Sequence, residues 1–429
     1  MCNDMILAEN TFLEAGFKKN MNCLVLGVPG SGKTRGHILP NLCQMEDSSA
    51  VLLDPKGELY SLTANMMRQR GFTVKLVDFD NPNNPETEFY NPLKYCSNSE
   101  DIITITRLLL SEGFDRSVDP FWPKSAQILA NALMGYLIEA VDDNDATLRG
   151  LTTLIKNIEF STAPGEKHTL ELMFDELKGK NRRSWAAEQF ELIKKSALSE
   201  RTYSSIVITL VAAFSGCMTD GIKRLTDHDT LDIPSIGKTK TVVYIKSSDS
   251  DRSKDTLISI LFQQIFNVLF READKSANHT LDVHTHLFLD DLGTNLTIEN
   301  LDCMLAACRS REISCSIILQ SVGQLQKQYG HAYTAILGSC ASLVFLGSND
   351  IDTCREMSYR LNKPLSTVLY KDINDIFVFT QGKPPIKSRV YDITKHSNYR
   401  LVNDFRIIEN LNFRYEQYDC IKKVSDLKL

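Results

Sequence analysis

No stretch of this 429-residue sequence stays apolar long enough to cross a bilayer; the longest such run, Ile206 to Phe214, falls far short of the roughly 20 residues a spanning helix needs. The N-terminus lacks a basic region followed by an apolar stretch, so no secretory leader is read there. The eleven cysteines are scattered without a Cys-x-x-Cys pair, which excludes a disulfide framework and a sequence-visible zinc site and predicts reduced, cytosolic thiols. Basic excess is also missing. With 48 Lys and Arg against 54 Asp and Glu the net charge is −6, which argues against a simple nucleic-acid-binding domain and leaves room only for a local basic patch or a pore lining. Internal repeats and low-complexity segments are absent.

What is present is the composition of a globular protein, with 43% apolar and 24% charged residues. The length exceeds what one hydrophobic core serves, so the sequence predicts two domains or one domain with a large insertion. Asn22 to Gly27, Ala50 to Asp54 and Val74 to Phe79 read as buried strands of a parallel sheet. From Ser99 to His228 the pattern turns helical, with long segments at Ser125 to Ala140 and Trp185 to Phe214 and a breaker cluster at Ser161 to Gly165. Strand signals return at Thr241 to Lys246, His286 to Asp290, Cys315 to Gln320, Ser342 to Leu346 and Ile376 to Thr380. The expectation is an α/β fold with a mostly parallel, doubly wound sheet, interrupted by an all-helical insertion. Its parts are residues 1–98, the helical domain 99–228, and 229–429.

Gly27-Val-Pro-Gly30-Ser31-Gly32-Lys33-Thr34 fits G-x-x-x-x-G-K-[ST] and lies between a strand and a helix, the context a P-loop requires. Glycines let backbone N–H groups curl around phosphate, the helix N-terminus favours negative charge, Lys33 neutralises the β- and γ-phosphates, and the Thr34 hydroxyl ligates Mg²⁺. ATP and Mg²⁺ are therefore the expected ligands. The strand at His286 ends in Asp290 and Asp291; an ATPase needs one acid there for the Mg²⁺ shell, assigned to Asp290, and one near the attacking water, assigned to Asp291. Gln320 ends the following strand and reads either as a γ-phosphate sensor or as a loop-capping amide. Arg309 and Arg311 precede that strand and read either as an arginine finger or as solvated helix residues. Asp54-Pro-Lys-Gly-Glu58 could line the nucleotide crevice or a subunit contact, or be a simple charged turn. His284 and His286 share one face of their strand and, without further ligands nearby, read as structural.

Taken with Tyr90-Asn-Pro92, Asp119-Pro-Phe-Trp122, Arg309-Ser-Arg-Glu-Ile313, Ile318-Leu-Gln-Ser321 and Phe345-Leu-Gly-Ser-Asn-Asp350, these motifs resemble, in order and spacing, the type IV secretion coupling proteins. The resemblance spans nearly the whole chain. It implies a RecA-like nucleotide-binding domain whose helical insertion receives substrate, and assembly as a homo-hexamer around a channel. The implied activity is ATP hydrolysis coupled to transfer of relaxase-bound single-stranded DNA, with relaxosome proteins and type IV secretion channel components as partners. Related motors acting on double-stranded DNA or protein effectors, and a nucleotide-gated receptor with little hydrolysis, share the same motifs. By the same resemblance Lys33 and Thr34 serve phosphate and Mg²⁺, Asp290 serves Mg²⁺, Asp291 is the catalytic acid, Gln320 the sensor and Arg309 a finger acting in trans. Two departures stand out. The family usually carries an N-terminal transmembrane region, whereas here the P-loop strand begins already at Asn22, so a shortened form or a relative without that region is expected, working at the cytoplasmic face of the membrane. The catalytic acid is usually Glu, and Asp291 is one methylene shorter, a difference of about 1 Å that can slow hydrolysis by up to ~10²-fold.

Overall fold

The structure, a computed structural model, describes residues 3–111, 119–142, 144–159, 167–196, 199–215, 219–248, 251–290, 292 and 296–402. Asp291 and the breaker cluster at 161–165 lie outside the described residues.

A short antiparallel hairpin, β1 (Met5–Ala8) and β2 (Thr11–Leu13), precedes the main sheet. That sheet has nine strands: β3 (Cys23–Gly27), β4 (Ser49–Leu53), β5 (Thr73–Asp78), β6 (Thr241–Lys246), β7 (Thr285–Asp290), β8 (Ile313–Leu319), β9 (Ser342–Gly347), β10 (Asp375–Thr380) and β11 (Ile386–Arg389). Their order is β11-β10-β9-β3-β8-β7-β4-β6-β5. From β9 to β5 every neighbouring pair is parallel, and only β10 and β11 run antiparallel to their neighbours. Strands β3, β4 and β8 are buried at every residue, as expected of strands covered on both faces.

Helices α1 (Leu39–Gln44) and α2 (Glu58–Gln69) cover one face. There Leu39, Leu42, Met66 and Met67 pack with Val25, Leu52, Tyr244, Phe288 and Ile318. Between β5 and β6 come seven helices: α3 (Ser99–Ser111), α4 (Phe121–Ala140), α5 (Leu148–Lys156), α6 (Thr169–Lys180), α7 (Trp185–Ser196), α8 (Glu200–Ser215) and α9 (Asp220–Leu225). Among the described residues this stretch holds no strand. Helix α4 is its hub, packing on α3, α5, α6, α7 and α8. Its Gly135 permits close approach to α7, since a Cβ there would sit 2.9 Å from the Ala186 Cβ. Helix α10 (Asp255–Lys275) bridges to the sheet, so a single apolar cluster runs from Leu24 and Val51 through Phe262 and Phe266 to Leu129 and Leu133. Each such fully buried side chain contributes about 1.5–3 kcal/mol of burial. Helices α11 (Leu301–Cys308) and α12 (Val322–Tyr329) precede and follow β8. Among the described residues, no helix is long and apolar enough to cross a membrane.

The structure divides Trp185 to Phe214, read as one helical segment, into α7 and α8. The reason is local: the Ser199 hydroxyl accepts from the Thr202 N–H at 3.2 Å, the bond by which a serine opens a helix.

Candidate functional site

Strand β3 delivers the P-loop. A Cβ on Gly27 would lie 2.3 Å from Ser31 Oγ and 3.2 Å from Leu346 Cβ and Lys33 Cγ, so a side chain there would displace Ser31, and Gly30 and Gly32 take φ of 78° and 90°, where any side chain is strained. The Ser31 N–H donates to the Val28 carbonyl at 3.1 Å, closing the turn. Lys33 folds back so that Nζ donates to the carbonyls of Gly27 (2.7 Å) and Val28 (3.2 Å). Ser31 Oγ is buried without a hydrogen-bond partner. Residues Thr34–Ile38 form a π-helical turn that continues into α1, and such widened turns are frequent at functional sites. The arrangement presents glycine backbone, one ammonium and a helix N-terminus to the same point, which suits a phosphate.

Strand order brings the other candidates to this edge. Leu26 is level with Leu319, so Gly27 and Gln320 end side by side, while Asp290 is level with Ile318 one strand further on. At strand spacings of about 4.8 Å, β7 lies about 10 Å from β3, within the span of a nucleoside triphosphate and its metal. Gln320 is half-buried, and its backbone is fixed: its N–H donates to Gln324 Oε1 at 2.8 Å, and its carbonyl accepts from Ser348 Oγ at 3.3 Å. Asp290 is half-buried at its strand end. The side chain of Gln320 is therefore free of the capping task, which Ser321 and Gln324 perform for α12.

Arg309 is elsewhere. It lies exposed in the 3-10 turn Arg309–Arg311, before the first residue of β8, at the amino edge of the sheet. The seven residues of β8 separate it from Gln320 by about 20 Å, a span no arginine side chain covers. Arg311 is occupied within the subunit, 3.0 Å from Asp274 and over the Phe270 ring.

Asp54 is a structural cap. It is buried and accepts from the N–H groups of Leu59 (3.2 Å) and Tyr60 (2.8 Å), opening α2. Burial raises its carboxyl above the usual range, against those two bonds. Gly57, at φ 69°, makes the preceding turn. His284 and His286 are buried and hydrogen-bonded to Ser314 and Ser316. Among the described residues, no group of three His, Cys, Asp or Glu side chains is arranged to hold a metal.

One wall of the site was not foreseen. After β11 the chain crosses the P-loop helix, with Val390 so close that a Cβ on Gly36 would meet its Cγ1 at 2.4 Å, and one on Gly32 at 3.7 Å. Tyr399 Oη lies 3.5 Å from Arg35 Nη2. The second glycine in the first turn, Gly36, is the only trace of this contact in the sequence.

This fold matches solved structures. The bacterial conjugative coupling protein TrwBdeltaN70, in its unbound monoclinic form, superimposes with a TM-score of 0.61 at 16% identity, covering 88% of this chain and 86% of that one. The plasmid coupling protein TrwB in complex with ADP and Mg²⁺ gives a TM-score of 0.60 at 17% identity, covering 86% and 85%. VirB4 of Thermoanaerobacter pseudethanolicus gives 0.56 at 14%, covering 90% and 96%. In sequence, the conjugal transfer protein TraG of Escherichia coli is 23% identical over 76% of this chain and 53% of its own length. Protein VirD4 of Rhizobium radiobacter is 24% identical over 85% and 56%. The chain thus spans about half the length of the curated relatives it matches. With a P-loop, an acid-ended strand and a glutamine-ended strand on one edge of a RecA-like sheet, and a family match over residues 2–383, the chain belongs to the type IV secretory system conjugative DNA transfer family.

Proposed function

We propose that this chain is the ATP-hydrolysing motor of a conjugative coupling protein, which recruits relaxase-bound single-stranded DNA and drives it towards the type IV secretion channel. The observation that carries the reading is the convergence of Gly27, Gln320 and Asp290 at the carboxyl ends of three adjacent parallel strands, the crevice where α/β folds bind ligands. The loop's own atoms fit ATP: Ser31 Oγ is buried and unsatisfied, a Cβ on Gly27 would crowd it, and the Lys33 ammonium rests on two carbonyls that a phosphate can replace.

When bound, Mg²⁺ would supply charge neutralisation on the phosphates. The Thr34 hydroxyl and the Asp290 carboxylate would hold that ion. Lys33 leaves the Gly27 and Val28 carbonyls to pair with phosphate oxygens, the Gln320 amide orients the attacking water, and Asp291 accepts its proton. Arg309 serves a neighbouring subunit of a homo-hexamer. The helical stretch 99–228 receives substrate as an inserted domain between 1–98 and 229–429, and its shared apolar core with the sheet gives nucleotide-driven movement a route to it. Relaxosome proteins and channel components are the partners, at the cytoplasmic face of the membrane.

Phosphate release tests the chemistry. Asp291→Asn is expected to lower ATP turnover at least about 10²-fold, as loss of a general base does, while Asp291→Glu restores the family's usual reach and keeps or raises it. Equal turnover by the asparagine and aspartate forms would show that the carboxylate is not catalytic and favour a nucleotide-gated receptor. DNA binding is tested by salt. With a net charge of −6, affinity for single strands must come from a localised basic surface completed by assembly. About five phosphate contacts then predict a loss of about 10²-fold between roughly 50 and 200 mM salt, read by fluorescence anisotropy. Salt-independent binding by the monomer contradicts it.

A further inference from the structure

Beneath the P-loop helix runs a buried chain of alternating acid, imidazole and hydroxyl groups. Glu312 Oε2 lies 3.2 Å from His284 Nδ1, and His284 Nε2 lies 2.8 Å from Ser314 Oγ. Ser314 Oγ lies 2.6 Å from His286 Nδ1, and His286 Nε2 lies 2.9 Å from Ser316 Oγ. Ser316 Oγ lies 3.0 Å from Nε2 of His37, one turn beyond Thr34 in the P-loop helix. His286 on β7, His284 just before it, the two serines on β8 and His37 are all buried.

Two orders of protons satisfy it, one with His284 neutral and one with His284 carrying a proton on each ring nitrogen. Burial would raise Glu312, but the bonds from His284 and the Lys18 N–H outweigh it and hold the carboxyl below its usual range, so it only accepts. Burial, reinforced by the other two histidines, pushes His286 well below its ordinary value, and burial lowers His37 to about 4. Both are therefore neutral, with one N–H each. With His284 neutral, it donates Nδ1–H to Glu312 and Ser314 donates to its Nε2. His286 then donates Nδ1–H to Ser314, Ser316 donates to His286, and His37 donates Nε2–H to Ser316. His37 Nδ1 is left as a buried acceptor without a hydrogen bond. The reverse order needs an extra proton on His284 and would turn an Nδ1–H of His37 towards the Ile6 carbonyl. The chain thus has two discrete arrangements, the property a coupling element requires.

Its far end is the turn that carries Arg309. Glu312 closes that turn in a left-handed conformation, φ 59°, and its N–H points back to the Arg309 carbonyl at 3.5 Å. We propose that His37 is a positioning residue for the P-loop, and that the chain Glu312–His284–Ser314–His286–Ser316–His37 couples the Arg309 turn to the nucleotide pocket of the same subunit. A displacement of Arg309 by a neighbour's phosphate shifts Glu312, and the hydrogen-bond order carries that shift to the helix holding Lys33 and Thr34. This rests on the reading of the P-loop as the ATP site.

Two measurements test it on the full chain. Histidine ¹⁵N spectra, assigned by single-histidine variants, are expected to show His37 protonated at Nε2, and His284 and His286 at Nδ1. Glu312→Gln, which supplies both donor and acceptor, should abolish the single tautomer at His37 although position 312 precedes β8 and lies four residues from Ser316, the partner of His37. Unchanged His37 signals in that variant overturn the chain. Affinity for a non-hydrolysable ATP analogue is the second. Ser316→Ala should weaken it about tenfold, the value of one buried hydrogen bond, and Ser314→Ala, whose hydroxyl bonds to His284 and His286, about as much. The double variant should lose no more than either alone, because both cut the same chain. Additive losses, or full affinity in Ser314→Ala, reduce the serines to local packing and overturn the coupling. If the wild-type chain binds no ATP analogue, the P-loop reading itself has failed, and the tautomer measurement alone decides for or against the chain.

Discussion

Replacing Lys33 by alanine is expected to weaken ATP binding by about 10²-fold, the value of a charge-assisted contact to phosphate, and to lower turnover by about 10²–10³-fold through lost stabilisation of the transferring phosphoryl group. The fold should survive. Lys33 is half-buried, and among the described residues its ammonium hydrogen-bonds to the Gly27 and Val28 carbonyls of its own loop, so the variant removes charge from the pocket and nothing from either apolar core. Titration with a fluorescent ATP analogue beside a thermal melt separates the two effects. Undiminished affinity at an unchanged melting temperature would falsify the assignment of Gly27 to Thr34 as the phosphate site.

The P-loop was readable because its chemistry is local: the glycines, Lys33 and Thr34 act within one turn of chain. The parallel strands were readable for a related reason, since burial on both faces leaves β3, β4 and β8 as continuous apolar runs. Short or edge elements carry no such signal. Strand β11 is largely exposed and β2 has three residues, so neither stood out from loop. What no local pattern encodes is strand order. That Gln320 ends beside Gly27, and Asp290 one strand beyond, follows from β8 lying between β3 and β7. The contact of Arg35 with Tyr399, 364 positions apart, is of the same kind. His284 and His286 could be assigned to one face of a strand, but their partners came from the register that sets His286 level with Ser314 and Phe288 level with Ser316. Asp54 shows the opposite limit: its motif reads equally as crevice, subunit contact or turn, and the bonds from Leu59 and Tyr60 add that its carboxylate caps a helix.

The same strand order bears on the role proposed for Arg309. All strands from β9 to β5 point one way, so the P-loop lies on the carboxyl edge of the sheet and Arg309 on the amino edge. A head-to-tail ring is the assembly that sets one subunit's amino edge against the next subunit's carboxyl edge, and a heterologous interface of this kind closes into a ring when its rotation permits. Hydrolysis is then a property of pairs of subunits, and activity is expected to rise faster than linearly with protein concentration. Arg309→Ala should lower turnover by about 10³-fold or more, the usual worth of an arginine finger. Its melting temperature should not change, because the side chain is exposed and makes no hydrogen bond or ion pair among the described residues. The decisive experiment mixes two inactive proteins, Arg309→Ala and Lys33→Ala. In mixed rings the intact P-loop of the first receives the intact arginine of the second, and ATPase activity should return. Sedimentation establishes that mixed oligomers form. If they form and activity stays absent, Arg309 is not donated in trans, and Arg311, released from Asp274 by the same contact, becomes the side chain to replace next.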